Sequence, residues 1–215
     1  MDSRKESLVI VEDHNDACEF CPLPGRLEWF NRPVAVDENY AIAVPALGSF
    51  RPGYLLALPI SHVNASCRIP ASDQLRFASF VSDLALELTS MYGTQITIFE
   101  HGACPSNNKG RQSACIDHAH VHLVPGNYDL TTEAPSEISK YDSLAEFMNK
   151  EQNNSYLMLQ DPGGPLLSFE DKVTSQFFRR VIASRLGISD YWDYAMFPFF
   201  ENSKQTYLDF GIDTP

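Results

Sequence analysis

The chain has 215 residues, a formal net charge of −12, 44% hydrophobic and 12% aromatic residues. That length holds one domain, or one domain plus an extension, with enough buried surface to fold without disulfides. The composition excludes disorder of the whole chain. No run of 18 apolar residues offers a membrane span, and the acid excess is spread evenly, without the basic patch duplex nucleic acid needs.

Residues 1–17 are polar and acidic, apart from Leu8 to Val11, and read as a loose N-terminal arm or one weak strand. They lack a signal peptide's apolar stretch, and five cysteines, odd and sparse, suit a reducing cytoplasm. Asn39–Val44 and Tyr54–Pro59 read as two antiparallel strands joined by a longer hairpin loop. Pro70 to Tyr92 is the clearest helix. Ser72 or Asp73 can cap it, Leu75, Ala78, Val81, Ala85, Leu88 and Met91 recur at helical spacing, and Gly93 stops it. Thr94–Phe99 is a strand by its β-branched alternation. Gly102–Ser113 is a loop, and His118–Val124 is a strand ended by Pro125-Gly126. Beyond it, Thr131–Lys140 reads as a surface loop, Leu144–Met148 as a helical turn or two, and Ser155–Gln160 as a strand before the turn Asp161–Pro165. Val173–Leu186 is an amphipathic helix stopped by Gly187. The aromatic tail Tyr191–Phe200 must pack on its own domain or on a second subunit. Strands and helices interleave without a βαβ rhythm, so the fold class is α+β with an antiparallel sheet of about five strands flanked by helices.

Three of the six histidines, His118, His120 and His122, fall within five residues. At i, i+2 and i+4 of a strand they share one face, at steps of about 6.6–6.8 Å, while Ala119, Val121 and Leu123 enter the core. That spacing can grip one phosphate-sized group, or divide the work between a metal and a substrate. It also suits attack on phosphorus by one imidazole while its neighbours orient it. Cys18 and Cys21 have the spacing that lets one turn present two thiolates to a metal, although such a pair alone could be redox-active or simply buried.

The run His118-Ala119-His120-Val121-His122-Leu123-Val124 resembles the signature of the histidine triad (HIT) superfamily of nucleotide hydrolases and transferases. Cys18-Glu19-Phe20-Cys21 is similar to the N-terminal Cys-x-x-Cys of many members. Gly53 to His62 resembles a family strand that usually begins Gly-His and ends Pro-x-x-His. Phe99-Glu100-His101-Gly102 resembles a segment of the related galactose-1-phosphate uridylyltransferases. The resemblance covers about residues 18–126. It implies a HIT-like catalytic domain there, with 1–17 an arm and 127–215 a C-terminal extension packed on the same domain.

The resemblance also implies chemistry. His120 would attack the α-phosphorus of a nucleotide conjugate: a phosphoramidate, dinucleoside polyphosphate or nucleotide sugar. The covalent nucleotidyl-histidine would then be hydrolysed. His122 would contact the phosphate or leaving-group oxygen and can donate a proton to it. Relatives that only transfer usually carry Gln at that third position, so His122 favours hydrolysis, with a nucleotidyltransferase or phosphorylase as the alternative. A metal-dependent hydrolase using the histidine cluster as ligands is the competitor from another class. Cys18, Cys21, His62 and His118 would complete a structural zinc site, with His101 the rival fourth ligand. No organic cofactor is implied. Relatives are commonly homodimers, and the aromatic tail offers material for an interface.

Departures from the pattern bear on substrate. The strand ending Ile42-Ala43-Val44-Pro45 has no acid or amide for a ribose, leaving Asn31 or Asp37 as candidates. The usual Gln-Ser ahead of the triad is displaced to Gln112-Ser113. With Asn108, Lys109 and Arg111, those residues make the loop a candidate phosphate-contacting segment. Arg179 and Arg180 could bind phosphate, although helix arginines are usually just solvated.

Overall fold

The structure is a computed structural model describing residues 18, 20–21, 29–38, 40–102, 118–151 and 155–214. The N-terminal arm and the loop residues Asn108, Lys109, Arg111, Gln112 and Ser113 lie outside the described residues. The strands are β1 (Ala35–Asp37), β2 (Ala41–Pro45), β3 (Leu55–Pro59), β4 (Ile96–Gly102), β5 (Val121–Pro125), β6 (Ser139–Tyr141), β7 (Tyr156–Gln160) and β8 (Leu166–Glu170). The helices are α1 (Ala71–Tyr92), α2 (Leu144–Lys150), α3 (Phe177–Arg185) and α4 (Phe200–Asp209). The strands form one antiparallel sheet in the order β1-β2-β3-β5-β4-β7-β8-β6. No described helix is long and apolar enough to cross a membrane.

The α+β antiparallel class is therefore the observed one, but the sheet has eight strands rather than about five. β1 and β6 are three-residue outer strands with no apolar run to mark them, and β6 begins inside the segment read as a surface loop. β8 closes a hairpin with β7 across the Asp161–Pro165 turn. Because β4 pairs with β7, the chain beyond residue 126 continues the same sheet.

Helices cover both faces, so β2, β3 and β7 read as continuous apolar runs rather than as alternation. On one face Ala43, Ala57, Val121, Leu123 and Met158 pack with Phe77, Val81, Leu84 and Leu88 of α1 and Phe147 of α2. On the other, Val44, Leu56, Leu58, Phe99, Val124, Leu157 and Phe169 pack with Phe178 and Ile182 of α3. In α1 the buried stripe runs through Phe77 and Leu84, whereas Leu75 is 70% exposed, so the apolar face is rotated from the one expected. Pro70, not Ser72 or Asp73, takes the N-cap position, since its fixed φ suits a helix start. Gly93 ends the helix in the left-handed conformation, φ 62°, with its N–H on the Thr89 carbonyl.

α2 starts at Ser143, whose hydroxyl accepts the Glu146 N–H at 3.1 Å while the Glu146 carboxylate accepts the Asp142 N–H at 2.7 Å. α3 is shorter than the expected 173–186. The aromatic tail packs on its own domain: Gly48 N–H donates to Pro198 O at 2.8 Å, Phe199 lies against Phe50, and Phe200 lies against Trp29. The tail leads into α4, which the sequence reading missed.

Candidate active site and metal centre

The three histidines do not share one environment. His118, Ala119 and His120 precede the β5 ladder, where the Ala119 N–H donates to Val63 O at 2.6 Å. This bond ties the triad to the segment after His62. Three residues after Val63, Ser66–Arg68 forms a 3-10 helix anchored by Glu100 of β4. The Glu100 carboxyl accepts Ser66 N–H at 2.8 Å, Ser66 Oγ at 2.5 Å and the Tyr156 hydroxyl at 2.7 Å. Burial raises its pKa and these donors oppose the shift. Glu100 thus braces the His62 segment from the α1 face.

His118 turns towards His62, Cys18 and Cys21. Cys21 Sγ is 3.1 Å from His62 Nδ1 and 3.7 Å from His118 Nδ1, and Cys18 Sγ is 3.5 Å from His118 Nδ1. All four ligand atoms lie within 4.8 Å of one another. The edges of a tetrahedral Cys2His2 zinc site are about 3.3–3.8 Å for ordinary bond lengths, so the residues fit such an ion. The tautomer fits as well. His118 Nε2 is 2.8 Å from Pro59 O, which can only accept, so the proton sits on Nε2 and the Nδ1 lone pair faces the thiols. Cys18 and Cys21 are not joined in a disulfide. His101 is not in this group: it lies on the α3 face, with its ring centroid 5.2 Å from that of Phe178.

His120 and His122 face one another with ring centroids 4.9 Å apart. His120 is 7% exposed, and its Nδ1–H donates to His118 O at 2.7 Å, which leaves the Nε2 lone pair open. Phe20, between the two cysteines, edges both His118 and His120 at about 6 Å. His122 stacks on Phe99 at 4.3 Å and 12°. Burial lowers the pKa of His120, although its bond to the His118 carbonyl opposes this. For His122, burial, then the charges of His120, His101 and Arg179, push the pKa well below the ordinary value. Both rings are therefore neutral near pH 7. One metal held by all three histidines does not follow from this geometry, because both ring nitrogens of His118 are already directed at other groups.

Two residues of the site depart from the expectations of the sequence: Tyr54 and Arg179. Tyr54 stands where the resemblance expects His after Gly53, and its hydroxyl is 2.8 Å from His122 Nδ1. Arg179, expected on a solvated helix surface, is 4% exposed and reaches the Tyr54 hydroxyl. The exchange of one polar residue for another after Gly53 was the available signal for Tyr54. Nothing local marked Arg179. Arg180, its neighbour, lies over the Trp192 ring at 3.3 Å. Asp37, a candidate ribose ligand, is instead paired with Arg76, whose guanidinium stacks on Tyr40.

No family model matches the chain, and no curated protein does. Solved structures do. A HIT-like protein involved in cell-cycle regulation from Bartonella henselae is 16% identical, over 53% of this chain and 82% of its own, with a TM-score of 0.42. A HIT family protein from Bacillus anthracis is 20% identical, over 52% and 74%, also at 0.42. A hypothetical histidine triad nucleotide-binding protein from Sulfolobus tokodaii is 23% identical, over 51% and 68%, at 0.41. These neighbours are histidine-triad proteins.

Proposed function

We propose that this chain is a nucleotidyl hydrolase of the histidine-triad type, acting on a nucleotide conjugate through a covalent intermediate at His120. The observation that carries the reading is the His120 ring. Its Nδ1–H is tied to the His118 carbonyl, so its Nε2 lone pair is the free nucleophile, and burial keeps it unprotonated near neutral pH. In the first step the Nε2 lone pair forms a bond to the α-phosphorus. The bond from phosphorus to the leaving group breaks with its electron pair, and solvent protonates the departing group. In the second step a water oxygen forms the new bond to phosphorus. The P–N bond breaks, its electron pair returns to Nε2, and the water's proton is released.

His122, neutral by its lowered pKa, serves as a hydrogen-bond donor to a phosphoryl oxygen rather than as an imidazolium acid. Asn108, Lys109, Arg111, Gln112 and Ser113 are proposed to contact the phosphates, by loop amides and local cations rather than by the field of an acidic protein. Cys18, Cys21, His62 and His118 would hold a zinc ion. Closed by four protein ligands, it would supply structural rigidity and no open coordination position.

The test uses three probes, adenosine 5′-phosphoramidate, diadenosine tetraphosphate and UDP-glucose, with an alkaline quench and intact mass measurement. At least one should leave a nucleotidyl adduct on the wild-type protein. His120→Asn should lose the adduct and turnover, by a factor on the order of 10⁴. Full turnover by that variant overturns the reading. Adduct transfer to an added acceptor in preference to water would make the enzyme a transferase.

A further inference from the structure

His122 is held by two residues from distant parts of the chain. The Tyr54 oxygen lies 2.8 Å from His122 Nδ1, and Arg179 Nη1 donates to that same oxygen at 3.3 Å. A guanidinium has donors only, so the phenol oxygen accepts from Arg179, and among the described residues His122 Nδ1 is the one partner that can accept its single proton. Nδ1 is then the acceptor, and the His122 ring proton sits on Nε2. His120 is set the opposite way, with Nδ1–H on the His118 carbonyl and the lone pair on Nε2. Side by side, one imidazole presents a lone pair and the other an N–H.

Arg179 is fixed for this task. Its Nη2 donates to Gly48 O at 2.8 Å, its Nε donates to Trp192 O at 3.1 Å, and its guanidinium lies 4.4 Å over the Phe50 ring. Gly48 has φ +73°, and a Cβ there would come within 2.6 Å of both Arg179 Nη2 and Tyr194 Cβ, so no side chain fits where Gly48 meets the guanidinium and Tyr194. Among the described residues no carboxylate pairs with Arg179. A buried cation satisfied only by neutral oxygens is costly to keep for packing alone. Two of its three oxygen partners are backbone carbonyls, and the third is the hydroxyl that faces His122.

We propose that Arg179 and Tyr54 are positioning residues that hold His122 as the Nε2–H tautomer, with that N–H available to a phosphoryl oxygen of the group His120 attacks. The proposal rests on the nucleotidyl-transfer reading above. It makes α3, outside the segment that carries the triad resemblance, part of the catalytic apparatus.

The test is a long-range ¹⁵N–¹H correlation spectrum of histidine-labelled protein at mildly alkaline pH, with the kinetics of the probe that gives the adduct. Wild-type His122 should show a protonated Nε2 and a hydrogen-bonded Nδ1. Tyr54→Phe keeps a fully buried ring in place, and should move the Nδ1 signal towards that of a free acceptor. It should also lower kcat by about 10–100-fold, as loss of such a partner typically does, with a much smaller change in KM. Arg179→Gln should move the same signal part-way. A wild-type spectrum with the proton on Nδ1 overturns the proposal, as does a Tyr54→Phe protein with wild-type shift and kcat. An intact Nε2–H tautomer on a wild-type protein that forms no adduct with any probe sinks the nucleotidyl reading, while upholding the tautomer.

Discussion

The two ends of the histidine segment are held by different chemistry. At His118, two thiols and a second imidazole crowd one ring nitrogen while a backbone carbonyl takes the other. At His122, a phenol and a buried guanidinium do the holding, across 68 and then 125 residues of sequence. The first arrangement is one a metal ion would clamp. The second is a chain of directional hydrogen bonds that needs each donor in place. His120 lies between them, so a tight anchor on one side and a tunable one on the other would set its neighbours independently.

The largest effect is expected at the metal end. Cys18→Ser should abolish stoichiometric zinc and cost several kcal/mol of stability, on the order of what structural zinc sites contribute. Elemental analysis and a thermal melt check both, and a strong chelator should reproduce the loss in the wild type. The His122 Nδ1 signal should stay unchanged in whatever fraction remains folded. Unchanged zinc content in Cys18→Ser would move the site elsewhere.

At the other end, Gly48→Ala places a side chain on a left-handed residue and against both Arg179 and Tyr194. The expected cost is about 1–3 kcal/mol by denaturant unfolding, with zinc content unaffected. A variant as stable as wild type would mean that Gly48 is not packed against Arg179 and Tyr194 as described.

The smallest effect is in pH dependence. His120 and His122 both have lowered pKa values relative to the ordinary 6.5. Above that pH the rings are neutral in the folded and unfolded chain alike and contribute no slope. Below it the unfolded chain binds protons that the native rings refuse, so stability falls as pH falls, until the lowered values are reached. The slope is at most about 1.4 kcal/mol per pH unit for each ring. Denaturant midpoints for wild type and His122→Asn should converge as pH falls from 7 towards 5. The acid limb of kcat/KM should lie below the ordinary imidazole value. Parallel midpoints would show that burial does not keep His122 neutral.

Legibility followed the range of the interactions. α1 was readable because helical periodicity and a terminal glycine are local, yet its buried stripe was assigned a rotation off, since Leu75 and Phe77 differ only in what lies opposite. β1 and β6 were missed because three residues at a sheet margin carry no pattern. α4 was not legible because its own sequence is largely polar and its buried side includes Ser203 and Thr206. The metal constellation was recognisable as four residue types in order, through the family resemblance.

The sequence by itself determined that Ala119, Val121 and Leu123 would be buried beside the histidines, because the two-residue repeat of an extended chain is a local property. It also supplied a pair of thiols at a metal-binding spacing. Only the tertiary structure decided which ring nitrogen each histidine presents, since that depends on the group opposite it: Pro59 O for His118, a carbonyl two residues back for His120, Tyr54 for His122. It alone turned Arg179 inward, because the burial of a helix residue is set by what the rest of the chain lays across it.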